Sequence, residues 1–208
     1  MNNYLFTRFF LTISVLCVGF FGGCNDQPNE SQETPEKTYP IGVITTNHGA
    51  MHFWLYDQTP HHKAKFVELA NQHYYDDFTF NRVVLNFVIQ GGCPDSPQYF
   101  ENSPYLLDPE FVDSIGHTYG ALGMGRDNNP KKQSNACQLY IVSKEAGLPN
   151  LDGNYMIFGK IIKGEEVLES VEHVQVDSLN KPLQTVSMKV EVLDLTSSQI
   201  ETSYGFKP

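Results

Sequence analysis

Hydrophobic residues recur at every second position in several short segments of this 208-residue chain. Met51, Phe53 and Leu55 alternate with His52 and Trp54, a period that is typical of a strand with one buried face. Seven further segments are rich in strand-forming residues: 41–46, 80–84, 88–91, 119–124, 138–143, 155–162 and 188–195. The pattern therefore predicts a domain that is built mainly from short β-strands.

Two segments have the period of an amphipathic helix instead. Thr59 and Pro60 predict a helix start, because a capping residue precedes a proline at the first helical position. Residues 66–70 give this helix an apolar face. Residues 164–166 start the second helix, where two glutamates favour the positive end of the helix dipole. Many short strands with only two helices predict a closed antiparallel barrel, since closure removes exposed sheet edges.

The N-terminal segment has a different pattern. Arg8 precedes an apolar run over residues 9–21 that is too short to span a bilayer comfortably. Phe21-Gly22-Gly23-Cys24 then resembles a bacterial lipobox, in which small residues precede a cysteine that accepts lipid. We predict a signal peptide at 1–23, lipidation of Cys24, and a membrane-anchored location in the bacterial cell envelope, facing the periplasm. An ordinary signal peptide or an uncleaved anchor is the alternative.

Composition divides the rest of the chain. Residues 24–39 are rich in Gln, Asn, Glu, Ser, Thr and Pro, which predicts a flexible tether. The folded domain is expected at 40–196 and a loose C-terminal tail at 197–208. Hydrophobic residues make up 40% of the chain and charged residues 18%, which suits one globular core. The formal net charge of −10 argues against nucleic acid binding and against electrostatic docking on anionic lipid.

The cysteines and histidines give no sign of a metal site. Of four cysteines, only Cys93 and Cys137 lie in the predicted domain. In an exported protein they either pair or remain as buried free thiols, and the sequence leaves both possibilities open. They have no zinc-ligand spacing, and the adjacent His61 and His62 do not share a helix face. We therefore predict no metal.

Four segments resemble the cyclophilins, which are peptidyl-prolyl isomerases. Residues 80–92 resemble the family signature Phe-His-Arg-Val-Ile-x-x-Phe-Met-Ile-Gln-Gly-Gly. Residues 117–125, 134–142 and 151–160 resemble, in the same order, the segments His-x-x-Gly-x-Leu-x-Met-Ala, Ser-x-Gly-Ser-Gln-Phe-Phe-Ile and Leu-Asp-Gly-x-His-x-Val-Phe-Gly-Lys. The resemblance covers roughly 41–195. It implies an all-β fold, a closed eight-stranded antiparallel barrel capped by two α-helices.

The resemblance also implies a catalytic residue and a groove. Arg82 matches the catalytic arginine; a guanidinium that donates a hydrogen bond to the proline nitrogen weakens its amide conjugation. Isomerisation breaks no bond, so we expect no nucleophile and no cofactor, only a groove that favours the twisted amide. The apolar slot for the proline ring would be formed by Phe87, Val88, Tyr140 and Leu151, with Tyr155 at its rim. The substrate backbone would be bound by Gln90 and Gln138, which would also hold Arg82 in place. Backbone groups for the residue before proline would come from Gly125 and Arg126.

The chain departs from the family pattern at several of these positions. The family's frequent tryptophan is Asn150, its frequent histidine is Tyr155, its second phenylalanine is Tyr140 and an alanine is Gly125. His117 matches a family position, and we expect it to support a strand rather than the chemistry.

We predict a monomeric prolyl isomerase that acts on X–Pro bonds of exported polypeptides. A catalytically weak chaperone or scaffold with the same fold is the alternative that the altered positions motivate. A lipid-anchored solute receptor is a third class of function, against which the small single domain argues.

Overall fold

The computed structural model describes residues 36–100 and 103–208. The predicted signal peptide, Cys24 and most of the predicted tether lie outside these ranges. Within them, none of the helices has the length and apolar character that a membrane crossing requires.

Eleven strands and four α-helices occur in the described part of the chain. The strands are β1 (Thr38–Thr46), β2 (Gly49–Leu55), β3 (Thr79–Val84), β4 (Val88–Gly92), β5 (Leu106–Leu107), β6 (Ala121–Met124), β7 (Ser134–Asn135), β8 (Gln138–Val142), β9 (Met156–Lys163), β10 (Val186–Ser187) and β11 (Lys189–Thr196). The helices are α1 (Pro60–Asn71), α2 (Pro97–Phe100), α3 (Glu165–Glu172) and α4 (Ser197–Tyr204), with short 3₁₀ helices at Tyr74–Asp77 and Pro149–Leu151.

Nine strands form one antiparallel sheet in the order β10-β3-β4-β8-β6-β9-β2-β1-β11 within the described ranges, and β5 pairs with β7 separately. The mainly-β prediction is confirmed, but the closed eight-stranded barrel is wrong. The edge strands β10 and β11 are separated in the chain only by Met188, so the sheet curls strongly to bring its two edges together. They do not pair with each other, because β10 binds β3 and β11 binds β1.

The predicted alternation and both predicted helices are confirmed. Met51, Phe53 and Leu55 are fully buried inside the curled sheet. Helix α1 packs Phe66 against Phe158 of β9, with ring centroids 5.3 Å apart. Burial of an aromatic side chain of this size is worth about 1.5–3 kcal/mol, so the burial of Phe66 favours the packing of α1 against the sheet.

Helix α1 begins at Pro60 as predicted, but its cap comes from elsewhere in the chain. Thr59 makes no side-chain hydrogen bond to the helix. Instead the Glu110 carboxylate accepts the backbone N–H groups of His61 and His62 at 3.1 and 3.0 Å. The segment between β5 and β6 is thereby fixed to the start of α1.

The predicted loose tail is instead largely helical, which corrects the expectation for this segment. Helix α4 starts with a capping box, in which Thr196 and Gln199 exchange side-chain and backbone hydrogen bonds. Ile200 is fully buried, and the Phe206 ring lies 5.0 Å from the ring of Trp54 on β2. These contacts hold the C-terminal segment against the outer face of the sheet.

Candidate active site

A cavity of about 300 Å³ lies beside β4, β8 and the 3₁₀ helix at Pro149–Leu151. Its walls contain the predicted catalytic arginine, every residue predicted to bind substrate, and one further carboxylate. The lining residues are Arg82, Phe87, Val88, Gln90, Asp95, Gly125, Arg126, Gln138, Tyr140, Leu151 and Tyr155. The fold thus brings together residues from four separate sequence segments, while the role of each stays a prediction.

Arg82 is positioned by the β3–β4 hairpin. It lies opposite Gln90 in the strand register, and its Nη1 donates a hydrogen bond of 3.1 Å to Gln90 Oε1. Its neighbour Val83 points into the core. Because successive side chains point to opposite faces of a strand, Arg82 points away from the core. The guanidinium carbon lies 5.9 Å from the centroid of the Phe87 ring. One edge of the Arg82 guanidinium is therefore held by Gln90, and the side chain still lines the cavity.

The apolar part of the cavity belongs to a hydrophobic cluster separate from the main core. Val88, Tyr140 and Leu148 are among its buried members, and Phe87, Leu151 and Tyr155 pack against it. The rings of Tyr140 and Tyr155 meet edge to face, with centroids 6.4 Å apart. Such a slot offers a proline ring apolar contacts on several sides.

Gln138 forms the polar wall opposite, but with partners that differ from the prediction. It does not hold Arg82; its Nε2 donates to the Cys93 carbonyl at 3.1 Å and to Asp95 Oδ1 at 2.7 Å. The Gly125 N–H donates to the Gln138 carbonyl at 2.9 Å. A Cβ on Gly125 would overlap the amide of Gln138, so glycine leaves room for this arrangement.

The two cysteines of the domain form a disulfide and are not free thiols, the two possibilities that the sequence left open. Cys93 and Cys137 are bonded, with Cα atoms 5.4 Å apart. Cys93 follows β4 and Cys137 precedes β8, and the Cys93 N–H donates to the Cys137 carbonyl at 2.9 Å. The bond therefore extends the β4–β8 pairing to the point where Gln138 and Asp95 meet.

Arg126 lies on the far side of the cavity, against Tyr155. Its guanidinium carbon is 4.9 Å from the Tyr155 ring centroid, and its Nη1 donates to the Asn129 carbonyl at 3.0 Å. Cation–π contacts of this kind are worth about 0.5–2 kcal/mol. The stacking fixes the position of the Tyr155 ring at the rim.

A buried polar chain behind the slot was not predicted. His117 Nε2 lies 2.8 Å from the Tyr140 hydroxyl oxygen, and its Nδ1 lies 2.6 Å from Asp152 Oδ1. Burial lowers the pKa of His117, although Asp152 opposes the shift, and burial raises the pKa of Tyr140 well above its ordinary value. A neutral His117 therefore donates Nδ1–H to Asp152 and accepts the Tyr140 O–H at Nε2.

This chain explains how a tyrosine fits where the resembling family has phenylalanine. A hydroxyl buried in an apolar slot needs a partner, and His117 supplies it. His117 does not itself line the proline slot but contacts it from behind through Tyr140, so the expectation that it supports the structure rather than the chemistry stays a prediction. The tyrosine in the motif was the signal that could have led to His117 and Asp152.

Comparison with known proteins agrees with this geometry. The family model described as cyclophilin type peptidyl-prolyl cis-trans isomerase/CLD matches residues 41–192. A peptidyl-prolyl cis-trans isomerase of Arabidopsis thaliana is 31% identical over 165 residues, which cover 77% of this chain and 98% of the relative. A Staphylococcus aureus protein named for the same activity is 32% identical over 173 residues, which cover 69% of this chain and 86% of that protein.

Solved structures show the same likeness. A cyclophilin type peptidyl-prolyl cis-trans isomerase of Cryptosporidium parvum, solved in the presence of the dipeptide Ala-Pro, matches with a TM-score of 0.64 and 28% identity. That match covers 75% of this chain and 99% of the other. A second structure of the Cryptosporidium parvum protein matches with a TM-score of 0.66 and 29% identity over 76% of this chain and 98% of the other.

Proposed function

This chain belongs to the family of cyclophilin-type peptidyl-prolyl cis-trans isomerases, and we propose that Arg82 is its catalytic residue and that its substrates are exported polypeptides. The observation that carries the proposal is the placement of Arg82, held by Gln90, in the wall of a cavity that also contains the apolar slot. The Ala-Pro dipeptide named with the Cryptosporidium parvum structure supports a proline-containing substrate.

The proposed chemistry follows from the electronic structure of the X–Pro bond. Rotation faces a barrier of about 18–20 kcal/mol because the nitrogen lone pair conjugates with the carbonyl. In the twisted state this lone pair is localised on nitrogen, where an Arg82 N–H can donate to it. A hydrogen bond that involves a charged group is worth about 1.5–3 kcal/mol, which corresponds to roughly 10- to 100-fold in rate. The apolar slot would supply the remaining rate enhancement by holding the proline ring while the preceding residue rotates about the X–Pro bond.

Substitution of Arg82 tests the proposal. Arg82→Ala should lower kcat/KM on a short Ala-Pro peptide by about 10- to 100-fold, with binding of the peptide partly preserved. Arg82→Lys keeps the charge without the planar fork and should fall between Arg82→Ala and wild type. Lys131→Ala removes an exposed cation outside the cavity and serves as the matched control.

The assay is protease-coupled or NMR-exchange isomerisation, with circular dichroism to verify folding. Activity of Arg82→Ala within twofold of wild type would contradict the catalytic role. A folded wild-type protein without turnover would instead favour the peptide-binding chaperone.

The same proposal places the protein on a lipid anchor in the bacterial cell envelope. Its support is the Phe21-Gly22-Gly23-Cys24 segment together with the Cys93–Cys137 disulfide, since disulfides persist in oxidising compartments outside the cytosol. Cys24→Ser should move the protein from the detergent phase to the aqueous phase in a detergent partition experiment. Equal partition of wild type and Cys24→Ser would refute lipidation at this residue.

A further inference from the structure

A second cavity, of about 310 Å³, adjoins the proline slot. Tyr155 lines both cavities and is the residue that the two linings have in common. Apolar side chains form much of the second cavity, among them Phe111, Ile115 and Ile157. Its volume lies at the lower end of the roughly 300–1,000 Å³ that small-ligand sites occupy, which suits a single side chain better than a cofactor.

Three carboxylates line this cavity, and they differ in how far hydrogen-bond partners already compensate their negative charge. Both oxygens of Glu110 accept N–H groups at the start of α1. Asp152 uses Oδ1 for His117, yet 42% of its side chain is exposed. Asp113 is exposed and takes part in no hydrogen bond or ion pair within the described residues. The rim therefore carries negative charge that is not compensated locally, above all at Asp113.

One intrinsic cation lies close to the cavity and shows that the surroundings accept an ammonium group. Lys132 Nζ donates to the Gly153 carbonyl at 2.8 Å and lies 5.7 Å from the centroid of the Phe111 ring. Gly153 and Phe111 both line the cavity. Arg126, which stacks on Tyr155, is a second cation nearby, and two cations against three carboxylates still leave the region net negative.

We propose that this cavity binds the side chain of a lysine or arginine in the same polypeptide whose X–Pro bond occupies the proline slot. The aliphatic stem would lie on the apolar wall while the charged head stays at the rim near Asp113 and Asp152, as long cationic side chains do on amphipathic surfaces. The inference rests on the proposed function, because it assumes a polypeptide bound beside Tyr155.

Continuity of the two cavities sets the reach of the interaction. An extended chain advances about 3.3–3.6 Å per residue. Because the two cavities share Tyr155, the cationic residue would lie within about three positions of the proline, a span of roughly 10 Å in an extended chain.

The test is a positional scan of peptide substrates. The parent peptide has alanine at every position around one Ala-Pro bond, and lysine or glutamate replaces alanine singly from three residues before the proline to three after it. Lysine at one position should lower KM about two- to fivefold relative to alanine, and glutamate there should raise it, as exposed ion pairs do. The gain should disappear in Asp113→Asn, while turnover of the parent peptide stays unchanged.

Two further variants separate a specific site from general attraction by an acidic protein. Asp194→Asn removes an exposed carboxylate on β11, outside the cavity, and should leave the lysine preference intact. Phe111→Ala removes apolar wall without changing charge and should weaken the preference for lysine. A lysine gain that is equal at all positions, or that survives in Asp113→Asn, overturns the proposal.

Failure of the isomerase function would be distinguishable from failure of this site. A folded protein that does not turn over the parent peptide refutes the activity but can still be titrated with the lysine and glutamate peptides. Amide NMR shifts at Gly153 and Ile157 that the lysine peptide causes and the glutamate peptide does not would support the cavity. Shifts confined to the proline slot with both peptides would refute it.

Discussion

Replacing His117 should cost more stability while Tyr140 keeps its hydroxyl than after that hydroxyl has been removed. Tyr140 is 5% exposed, and its hydroxyl oxygen lies 2.8 Å from His117 Nε2 and 3.3 Å from the Met156 carbonyl oxygen. In His117→Phe a ring of similar size remains stacked against Tyr140, but the hydroxyl loses its nearer acceptor. In Tyr140→Phe the imidazole nitrogen loses its donor.

The expected magnitude follows from the cost of an unpaired buried group. Such a group costs about 1–3 kcal/mol, and the Met156 carbonyl recovers part of this in His117→Phe. We therefore expect about 1–2 kcal/mol of lost unfolding free energy for His117→Phe and about 1 kcal/mol for Tyr140→Phe. The double variant removes both polar ends, so its loss should be smaller than the sum by at least about 0.5 kcal/mol.

The measurement is urea unfolding of all four proteins, followed by the fluorescence of the single tryptophan, together with kcat/KM for isomerisation. Midpoints can be compared directly if the slopes agree. Tyr119→Phe is the matched control, since that hydroxyl makes no hydrogen bond within the described ranges. Strictly additive losses in the double variant would refute the coupling, and so would a His117→Phe variant as stable as wild type.

Two further predictions concern pH and the disulfide. Burial lowers the pKa of His62, although Glu110 opposes the shift, so below about pH 6.5 the unfolded chain binds a proton that the fold excludes. The contribution of His62 to the unfolding free energy should be full above that pH and fall as the pH drops below it, with a shallower slope in His62→Gln; an identical slope would contradict this. Replacing Cys93 and Cys137 together by alanine should cost about 4 kcal/mol for their separation of 44 residues and lower kcat/KM through misplacement of Gln138. Equal urea midpoints for variant and wild type would contradict the disulfide estimate.

Local pattern was sufficient for most elements of the fold, because each strand and helix buries one face. Phe53 on β2 and Phe66 on α1 show the predicted periods in their burial. The closed barrel was wrong because closure depends on how the two ends of the sheet meet, and one residue, Met188, separates them. Helix α4 was predictable in principle, since Thr196 and Gln199 have capping-box spacing.

The sequence predicted those contacts of the candidate site whose two residues lie in one motif. It did not predict contacts between residues that are distant in sequence. Arg82 and Gln90 face each other within one hairpin, so a motif places both. Asp95 reaches Gln138 across 43 positions, and Asp152 reaches His117 across 35. Such pairings depend on the register of the folded sheet, which a local pattern does not contain.

Two hydrogen-bonded chains with buried imidazoles place a carboxylate, an imidazole and a hydroxyl in the order that hydrolases use for nucleophilic catalysis. One runs from Asp152 through His117 to Tyr140. In the other, His62 Nδ1 lies 2.5 Å from Glu110 Oε2, and its Nε2 lies 2.6 Å from Ser134 Oγ.

The surroundings argue that neither chain performs such chemistry. Ser134 is 1% exposed and lines neither the proline slot nor the adjoining cavity, so no substrate carbonyl can reach its hydroxyl. Burial raises the pKa of Tyr140 well above its ordinary value, which disfavours the phenolate that a nucleophile would need. Each chain instead joins segments that are distant in sequence. The chain through His62 joins α1 to β7. The chain through His117 joins β8 to the residue that follows the Pro149–Leu151 helix. A reaction that breaks no covalent bond needs walls that keep their shape while the amide turns, and the hydrogen bonds from Asp152 through His117 to Tyr140 favour such a fixed wall.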